Sequence, residues 1–289
     1  MNGVIRVLVV LAALVFSHSL LAGSMVYEVS KGKRKIYLAG TIHLLRAQDF
    51  PLPAEFDEAY RRSQKIYFEA DMEKVKNPAF GQRFAQAMVL PDNKTLKDIL
   101  STKNWAALQA YATKSQYPLS QTIMFNPAML SILITLTESK KLGIGEGVDA
   151  FYDNSARKDN KLIGELETGD EVIAYMQKFA QEDPDKIIES VLNDIDNMPT
   201  DLEQMISHWK KGDLDALDQH FNERMRKETP VVYQSLLIDR NQKWLPHIEN
   251  MFTTAEIEMV LVGSLHLSGN DGLLAQLKKS GYTVKPLQL

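Results

Sequence analysis

The chain has 289 residues, of which 45% are hydrophobic and 24% are charged. This composition is typical of an ordinary soluble globular protein, and it excludes a largely disordered chain, a collagen-like repeat and a polytopic membrane protein. The 33 basic and 37 acidic side chains give a formal net charge of −4 with no strongly basic stretch, so no nucleic-acid partner is expected. Because the chain contains no cysteine, disulfides, thiolate metal sites and a cysteine nucleophile are also excluded.

The first 23 residues have the order of a secretory signal peptide. One basic side chain, Arg6, precedes ten apolar residues, 7–16, and small and polar residues follow at 17–23. Cleavage near Ala22 or Gly23 is predicted, which places the protein in an extracytoplasmic space, periplasmic or secreted. An uncleaved membrane anchor over residues 7–27 is the alternative, because that segment contains no Asp, Glu, Lys or Arg.

Residues 24–289 are predicted to form a single α/β domain whose short apolar strands alternate with helices. This alternation favours a mostly parallel central sheet flanked by helices. A large helix-rich insertion then separates the two strands that carry a Gly-x-x-His motif. The last strand is expected at the sheet edge, because Pro286 cannot donate to a ladder. The predicted strands are residues 35–42, 65–71, 161–166, 258–263 and 283–287.

The predicted helices concentrate in a lobe over residues 74–138 and 169–250. Asn126 is expected to cap a helix that has Pro127 at its first position. The sequence Thr200-x-x-Glu203 matches a capping box and predicts that a helix begins there. The predicted helices are residues 53–63, 128–141, 205–211, 213–227, 235–251 and 273–279.

Two short segments of the chain resemble each other. An apolar strand runs into Gly40-Thr-Ile-His43, and a second apolar strand runs into Gly263-Ser-Leu-His266. Ligands of open parallel sheets bind outside the carboxyl ends of the strands, and glycine lets the backbone turn sharply or approach another group closely. If the two strands are neighbours, both imidazoles therefore meet at one sheet edge.

A carboxylate at the end of the second strand completes a candidate metal site. Two imidazoles and one carboxylate are a common ligand set for a divalent ion that keeps an open position for water. Glu69 ends the apolar run Tyr67-Phe-Glu, where a buried carboxylate needs a partner. Asp71 lies two residues further on and is the reserve ligand or a supporting partner. A solvated strand face and structural histidines are the alternative interpretation.

These motifs together resemble the TraB/GumN family, which shares related motifs with the Tiki metalloproteases and the erythromycin esterase-like group. The resemblance covers about residues 35–287 in order. Asp239 stands where the family usually has Glu, and the glutamine that often follows the Leu-Glu-Thr segment is absent after Thr168. The matching segments are residues 40–43, 68–71, 147–149, 164–168, 239–244, 263–274 and 281–284.

The resemblance implies a metal-dependent peptidase that acts on a peptide or protein substrate. Mn or Co is the metal favoured in the Tiki branch, and Zn is possible. Carried over by position, the metal and catalytic set is His43, Glu69 and His266, and the paired glycines of the family are Gly40 and Gly263. Whether Glu69 is a metal ligand or the general base is left open.

Five further residues are expected near this site or beside it. Arg240 is a candidate for stabilising an oxyanion or holding a substrate carboxylate. Asn241 is a candidate for binding substrate or supporting the site residues. The alternative is that Arg240 pairs with a surface acid and Asn241 caps a turn. Glu167 ends the third strand and is expected to face the site, or to belong to a strand-end turn with Thr168. Asp149 is expected to have a structural role, such as a helix cap.

Two other functions remain open from the sequence. In the first, no metal is involved, and His43 is a general base that Glu69 orients, with His266 and Arg240 stabilising charge. In the second, the protein is a non-enzymatic extracytoplasmic binding or regulatory protein, and its histidines are structural. A membrane contact is expected only through an uncleaved amino-terminal segment.

Overall fold

The computed structural model describes residues 23–289, so the predicted signal peptide, Gly23 excepted, lies outside the described residues. The end of the predicted anchor segment, residues 7–27, does fall inside them. Met25 and Val26 are fully buried, and Val26 begins the first strand of the sheet. Within residues 23–289, no helix combines the length and the apolar character needed to cross a bilayer.

A six-stranded sheet forms the centre of the α/β fold, in the order β6-β4-β7-β2-β1-β8. The pairs β6–β4, β4–β7 and β7–β2 are parallel, and β1 is antiparallel to both β2 and β8. A separate antiparallel pair joins β3 to β5. The strands are β1 Val26–Lys31, β2 Arg34–Thr41, β3 Leu44–Arg46, β4 Lys65–Phe68, β5 Ile144–Glu146, β6 Leu162–Glu165, β7 Glu258–Gly263 and β8 Thr283–Pro286.

Helices cover both faces of the sheet, as the side-chain alternation along the strands requires. On β2, Tyr37 and Ala39 belong to one apolar cluster, whereas Ile36 and Leu38 belong to the other. Successive residues of a strand point to opposite faces, and strands buried on both faces are typical of parallel sheets. The α helices are α1 Ala54–Arg62, α2 Met72–Val75, α3 Pro78–Ala87, α4 Leu96–Ile99, α5 Thr102–Ser115, α6 Leu119–Thr122, α7 Pro127–Lys141, α8 Val148–Lys158, α9 Gly169–Phe179, α10 Pro184–Lys211, α11 Leu214–Leu217, α12 Glu223–Glu228, α13 Pro230–Tyr233, α14 Asp239–Met251 and α15 Leu273–Lys279.

The predicted α/β class is confirmed, and most predicted elements are present. All five predicted strands are found, and β8 lies at the sheet edge as expected. The predicted helix after Asn126 is α7, and the side chain of Asn126 accepts the backbone N–H of Met129. Between β2 and β7 the chain is rich in helices, and a third apolar cluster joins α5, α7 and α10 away from the sheet.

The predicted capping box was wrong. Thr200 and Glu203 lie inside the 28-residue helix α10, which continues through Pro199. A proline within a helix removes one backbone hydrogen bond, but burial of one helix face can outweigh that loss. Two predicted helices also contain π-helical turns, at Asp218–Asn222 and Gln234–Ile238. Strands β1, β3 and β5 were not predicted.

Candidate functional site

The two Gly-x-x-His segments lie side by side at the carboxyl edge of the sheet. In the register of the parallel pair β2–β7, Thr41 is opposite Gly263. Beyond Gly263 the chain enters the short 3-10 turn Ser264–His266, which packs against β2. A Cβ added to Gly40 would lie 3.1 Å from the Cα of Ser264, so glycine permits this close approach.

Glu69 follows β4 and lies between the two imidazoles. Its Oε1 accepts the backbone N–H of Gly263 at 2.7 Å. The same oxygen lies 3.8 Å from Nε2 of His43 and 3.9 Å from Nε2 of His266. One carboxylate oxygen therefore faces both imidazoles, as the metal-site hypothesis requires.

Arg240, in α14, binds two carboxylates at once. Its Nη2 donates to Oε2 of Glu69 at 2.5 Å and to Oε1 of Glu167 at 2.7 Å, and its Nε donates to Oε2 of Glu167 at 3.1 Å. Trp244 also donates its indole N–H to Oε2 of Glu167 at 3.0 Å. The alternative expectation, a surface ion pair of Arg240, is therefore wrong, because Arg240 lies among buried groups of the candidate site.

The shared guanidinium affects the two carboxylates differently. Burial alone would raise the pKa of Glu69, but the charges of Arg240 and His43 hold it well below its ordinary value. The Glu167 side chain is only 1% exposed, and its burial raises its pKa above the ordinary value despite the opposing charge of Arg240. Glu69 is thus the anionic partner at the histidines, and Glu167 supports Arg240 from behind.

His266 is buried and held in one orientation by Asn241. The side-chain amide of Asn241 donates to the backbone carbonyls of His266 and Asp271, so its Oδ1 is the acceptor, 2.7 Å from Nδ1 of His266. Nδ1 of His266 therefore carries the proton, and the unprotonated Nε2 accepts an N–H of Arg240 Nη1 at 3.3 Å. Burial lowers the pKa of His266 to about 3. This ring is neutral, and Asn241 positions it rather than capping a turn.

His43 has the opposite environment. Its side chain is 58% exposed, and its Nδ1 lies 2.8 Å from Oδ2 of Asp149, whose other oxygen accepts the hydroxyl of Thr41. The charge of Asp149 raises the pKa of His43 to about 9. Nε2 of His43 is left facing Glu69 and solvent.

Asp149 is the site residue that the sequence interpretation missed. It was expected to be a structural helix cap, but it lies in the first turn of α8 and binds His43, and Gly147 occupies the cap position. A Cβ on Gly147 would lie 2.0 Å from the carbonyl oxygen of Ile42, so the helix can approach His43 this closely only with glycine there. The Gly-Val-Asp segment was the signal in the sequence.

Asp71 does not join the His43 and His266 cluster. Its carboxylate accepts the backbone N–H of Glu73 at the start of α2 and pairs with Arg157 at 2.8 Å. Thr168 caps α9 by accepting the N–H of Glu171. Both residues therefore have structural roles at helix starts beside the site.

The donors at this edge suit a divalent metal in their chemistry. As the side chains stand in residues 23–289, no group of three His, Asp or Glu residues is placed to hold a metal ion. The separations of 3.8 and 3.9 Å are a few tenths of an ångström longer than the about 3.4 Å between two ligands of a tetrahedral ion. The absence of a side chain at Gly263 keeps these donors uncrowded, since a Cβ there would lie only 3.2 Å from Nε2 of His43 and 3.4 Å from Oε1 of Glu69. Hydrogen bonds to Nδ1 of both rings are the usual outer partners of metal-binding histidines.

Comparison with known proteins gives one family. The model of the TraB/PrgY/gumN family matches residues 25–286. The protein YbaP of Escherichia coli (strain K12), described as uncharacterized, is 25% identical over 261 residues, which are 86% of this chain and 89% of YbaP. YbaP of Shigella flexneri has the same identity and coverage. No solved structure matches the chain.

Proposed function

Because the chain belongs to the TraB/PrgY/gumN family, and because His43, Glu69 and His266 meet at one sheet edge, we propose that it is an exported metal-dependent hydrolase that cleaves a peptide bond. One observation carries the proposal: Nε2 of each imidazole lies within 4 Å of the same oxygen of Glu69, while Nδ1 of each ring is engaged elsewhere. Such an arrangement turns three donor atoms towards one region, where a bound metal would replace the contact between Nε2 of His266 and Nη1 of Arg240.

His43, Glu69 and His266 would hold the ion. When bound there, a divalent metal supplies Lewis-acid polarisation of a carbonyl and lowers the pKa of water towards neutrality. Asp149 holds the ring of His43 with Nδ1 protonated, and Asn241 does the same for His266. Because the pKa of His43 is raised to about 9, a bound metal would have to displace the Nε2 proton of His43, after which both Nε2 lone pairs would point towards the site.

Glu69 is better suited to binding than to general-base catalysis. A group accepts a proton effectively when its pKa lies near the working pH. The pKa of Glu69 is held well below its ordinary value, and its Oε2 already accepts a hydrogen bond from Arg240. Of the two roles that the sequence leaves open for Glu69, we therefore favour that of a metal ligand.

Arg240 is the charged group that can stabilise the reaction. Its guanidinium is 15% exposed and lies beside both Glu69 and His266. A fixed cation in a water-poor site stabilises negative charge that develops on a carbonyl oxygen. Glu167 keeps the guanidinium in place, since it accepts two of its N–H groups.

Metal binding tests the proposal directly. Chelator-treated protein is titrated with Mn, Co, Zn and Mg while its thermal unfolding is followed, because a ligand specific for the folded state must raise the midpoint. The rise is expected in the wild type and in His247→Ala, an exposed control. It should vanish in His43→Ala and in His266→Ala, and a peptide-cleavage screen follows with the effective metal. A folded wild type whose midpoint responds to none of the metals would refute the metal-dependent reading.

The pair of His43 and Asp149 supports a second candidate, a metal-free hydrolase. An exposed imidazole held by a carboxylate is the arrangement of a histidine acid or base. With a pKa of about 9, His43 is protonated at neutral pH and would serve as the acid for a leaving group. Cleavage that persists in excess chelator and is lost in Asp149→Asn would favour this candidate. Peptide binding without cleavage under any condition would favour a non-enzymatic binding protein.

Export is part of the same proposal and rests on the pattern of residues 1–23. Amino-terminal sequencing of protein recovered outside the cytoplasm tests it. A first residue near Ala22 or Gly23 is expected. An intact amino terminus in a membrane fraction would instead support the anchor.

A further inference from the structure

An apolar groove opens beside His43, on the side of the helical lobe. Its volume is about 320 Å³, and its walls come from the segment around His43 and from α7 and α10. The apolar side chains include Ile42, Met198, Leu202 and Met205. Volumes of about 300–1,000 Å³ are typical of small-ligand pockets, so the groove suits one or two apolar side chains.

The groove runs along α10 away from the sheet. The carboxyl end of α10 is attached near His43, because the Glu203 carboxylate pairs with Arg46 and Trp209 donates to the carbonyl of Gly40. Asp194 also lines the groove and precedes Glu203 by nine residues, which corresponds to about 13 Å along a helix. An extended peptide covers this distance with about four residues.

The groove wall around Arg224 carries excess negative charge. Arg224 pairs with Asp194 at 3.0 Å and with Asp201 at 3.1 Å, so one guanidinium faces two carboxylates. Burial raises the pKa of Asp194; the charge of Arg224 opposes this effect, and the charges of Asp201 and Glu228 add to it. An additional cation at this wall would therefore be attracted.

We propose that this groove binds the amino-terminal end of a peptide substrate, with apolar side chains against Met198 and Leu202 and the α-ammonium group beside Asp194. The inference rests on the proposed function, because it places the substrate relative to His43. Every unblocked peptide carries a terminal cation, and side chains follow it directly when the peptide binds in an extended conformation. Since alternate residues of an extended chain point to one side, the first and third side chains enter the groove. The bond brought to the site then lies about four residues from the amino terminus.

Binding is measured by fluorescence anisotropy with full-length, chelator-treated protein, so that no cleavage is needed. The probe is an eight-residue peptide that begins Leu-Ala-Leu-Ala and carries a fluorophore at its carboxyl end. We expect at least tenfold weaker binding when its amino group is acetylated, and when both leucines are replaced by Asp. Asp194→Asn should bind the free and acetylated peptides equally, whereas the control Asp196→Asn should keep the preference. Unchanged melting temperatures of both variants show that they are folded.

Equal binding of free and acetylated peptides by the wild type would overturn the inference. A preference that follows an internal lysine instead of the terminal amine would also overturn it. A preference for the free amino terminus, with no cleavage in the presence of any of the metals, would leave the groove assignment standing and refute the hydrolase. Metal-dependent cleavage that ignores acetylation and Asp194→Asn would refute the groove assignment and leave the hydrolase standing.

Discussion

Arg240 is the cation on which the stability of the site depends. It is 15% exposed and faces two carboxylates, of which Glu167 is 1% exposed and Glu69 is 14% exposed. Replacing Arg240 by Leu leaves both carboxylates without their cation. Removing one partner of a buried ion pair costs about 3–5 kcal/mol. In a domain of this size, each kcal/mol of lost stability lowers the melting temperature by about 2–4 °C, so we expect a fall of about 10 °C.

Urea unfolding at several pH values provides the assay for Arg240→Leu. Without the cation, burial raises the folded-state pKa of Glu167 further above its ordinary value. A raised folded-state pKa means that the folded protein binds the proton more readily than the unfolded one, so the destabilisation is largest at high pH and shrinks as the pH falls. The double variant Arg240→Leu/Glu167→Gln removes one unpaired charge and should recover more than 1 kcal/mol. A loss below 1 kcal/mol, or a loss that is the same at pH 5 and pH 8, would refute this reasoning.

The remaining predictions concern the histidines and the space between them. In the chelated protein, NMR titration should find His43 titrating near pH 9, and Asp149→Asn should return its pKa towards 6.5. The stabilisation of the fold by the pair of protonated His43 and Asp149 is complete below pH 6.5 and is lost as the pH rises through 9. His266 should remain neutral down to about pH 3. Its contribution to folding stability is therefore present above pH 6.5 and is lost as the pH falls towards 3. Gly263→Ala should change the unfolding free energy by less than about 1 kcal/mol but weaken metal binding about 10–100-fold, whereas Gly145→Ala should leave metal binding unchanged. Equal titration of both histidines, or metal binding that survives Gly263→Ala, would contradict these expectations.

The sheet edge could be predicted because its signals are local. The strand that ends near Gly40 and the strand that ends at Gly263 are apolar runs bounded by glycine, and parallel packing brings their ends together. The position of Glu69 follows from the same argument, since it ends a third apolar run. The sequence therefore predicted that two histidines and a carboxylate meet there.

Strand β1 and the full length of helix α10 were not predicted, because their stability comes from distant partners. Strand β1 directly follows the amino-terminal apolar segment, and only its pairing with β2 and β8 identifies it as a strand. In α10, Pro199 and Thr200 carry local signals for a helix boundary. The helix continues because residues such as Ile188 and Ile206 are buried against different parts of the protein. Local helix propensity is a weak guide where burial against distant parts of the protein determines whether a helix continues.

The two histidines show why a repeated motif does not imply repeated roles. Both follow a strand and a glycine, yet His43 is paired with a carboxylate and faces solvent, whereas His266 is paired with an amide and lies beside Arg240. The partners come from elements more than 20 residues away in the chain, so the motif alone cannot distinguish them. Charge and exposure favour His43 as the group that reaches the substrate, and burial favours His266 as a fixed neutral donor. Substitutions at the two positions should therefore fail in different ways, with His266→Ala disturbing the packing around Arg240 and His43→Ala leaving the fold intact.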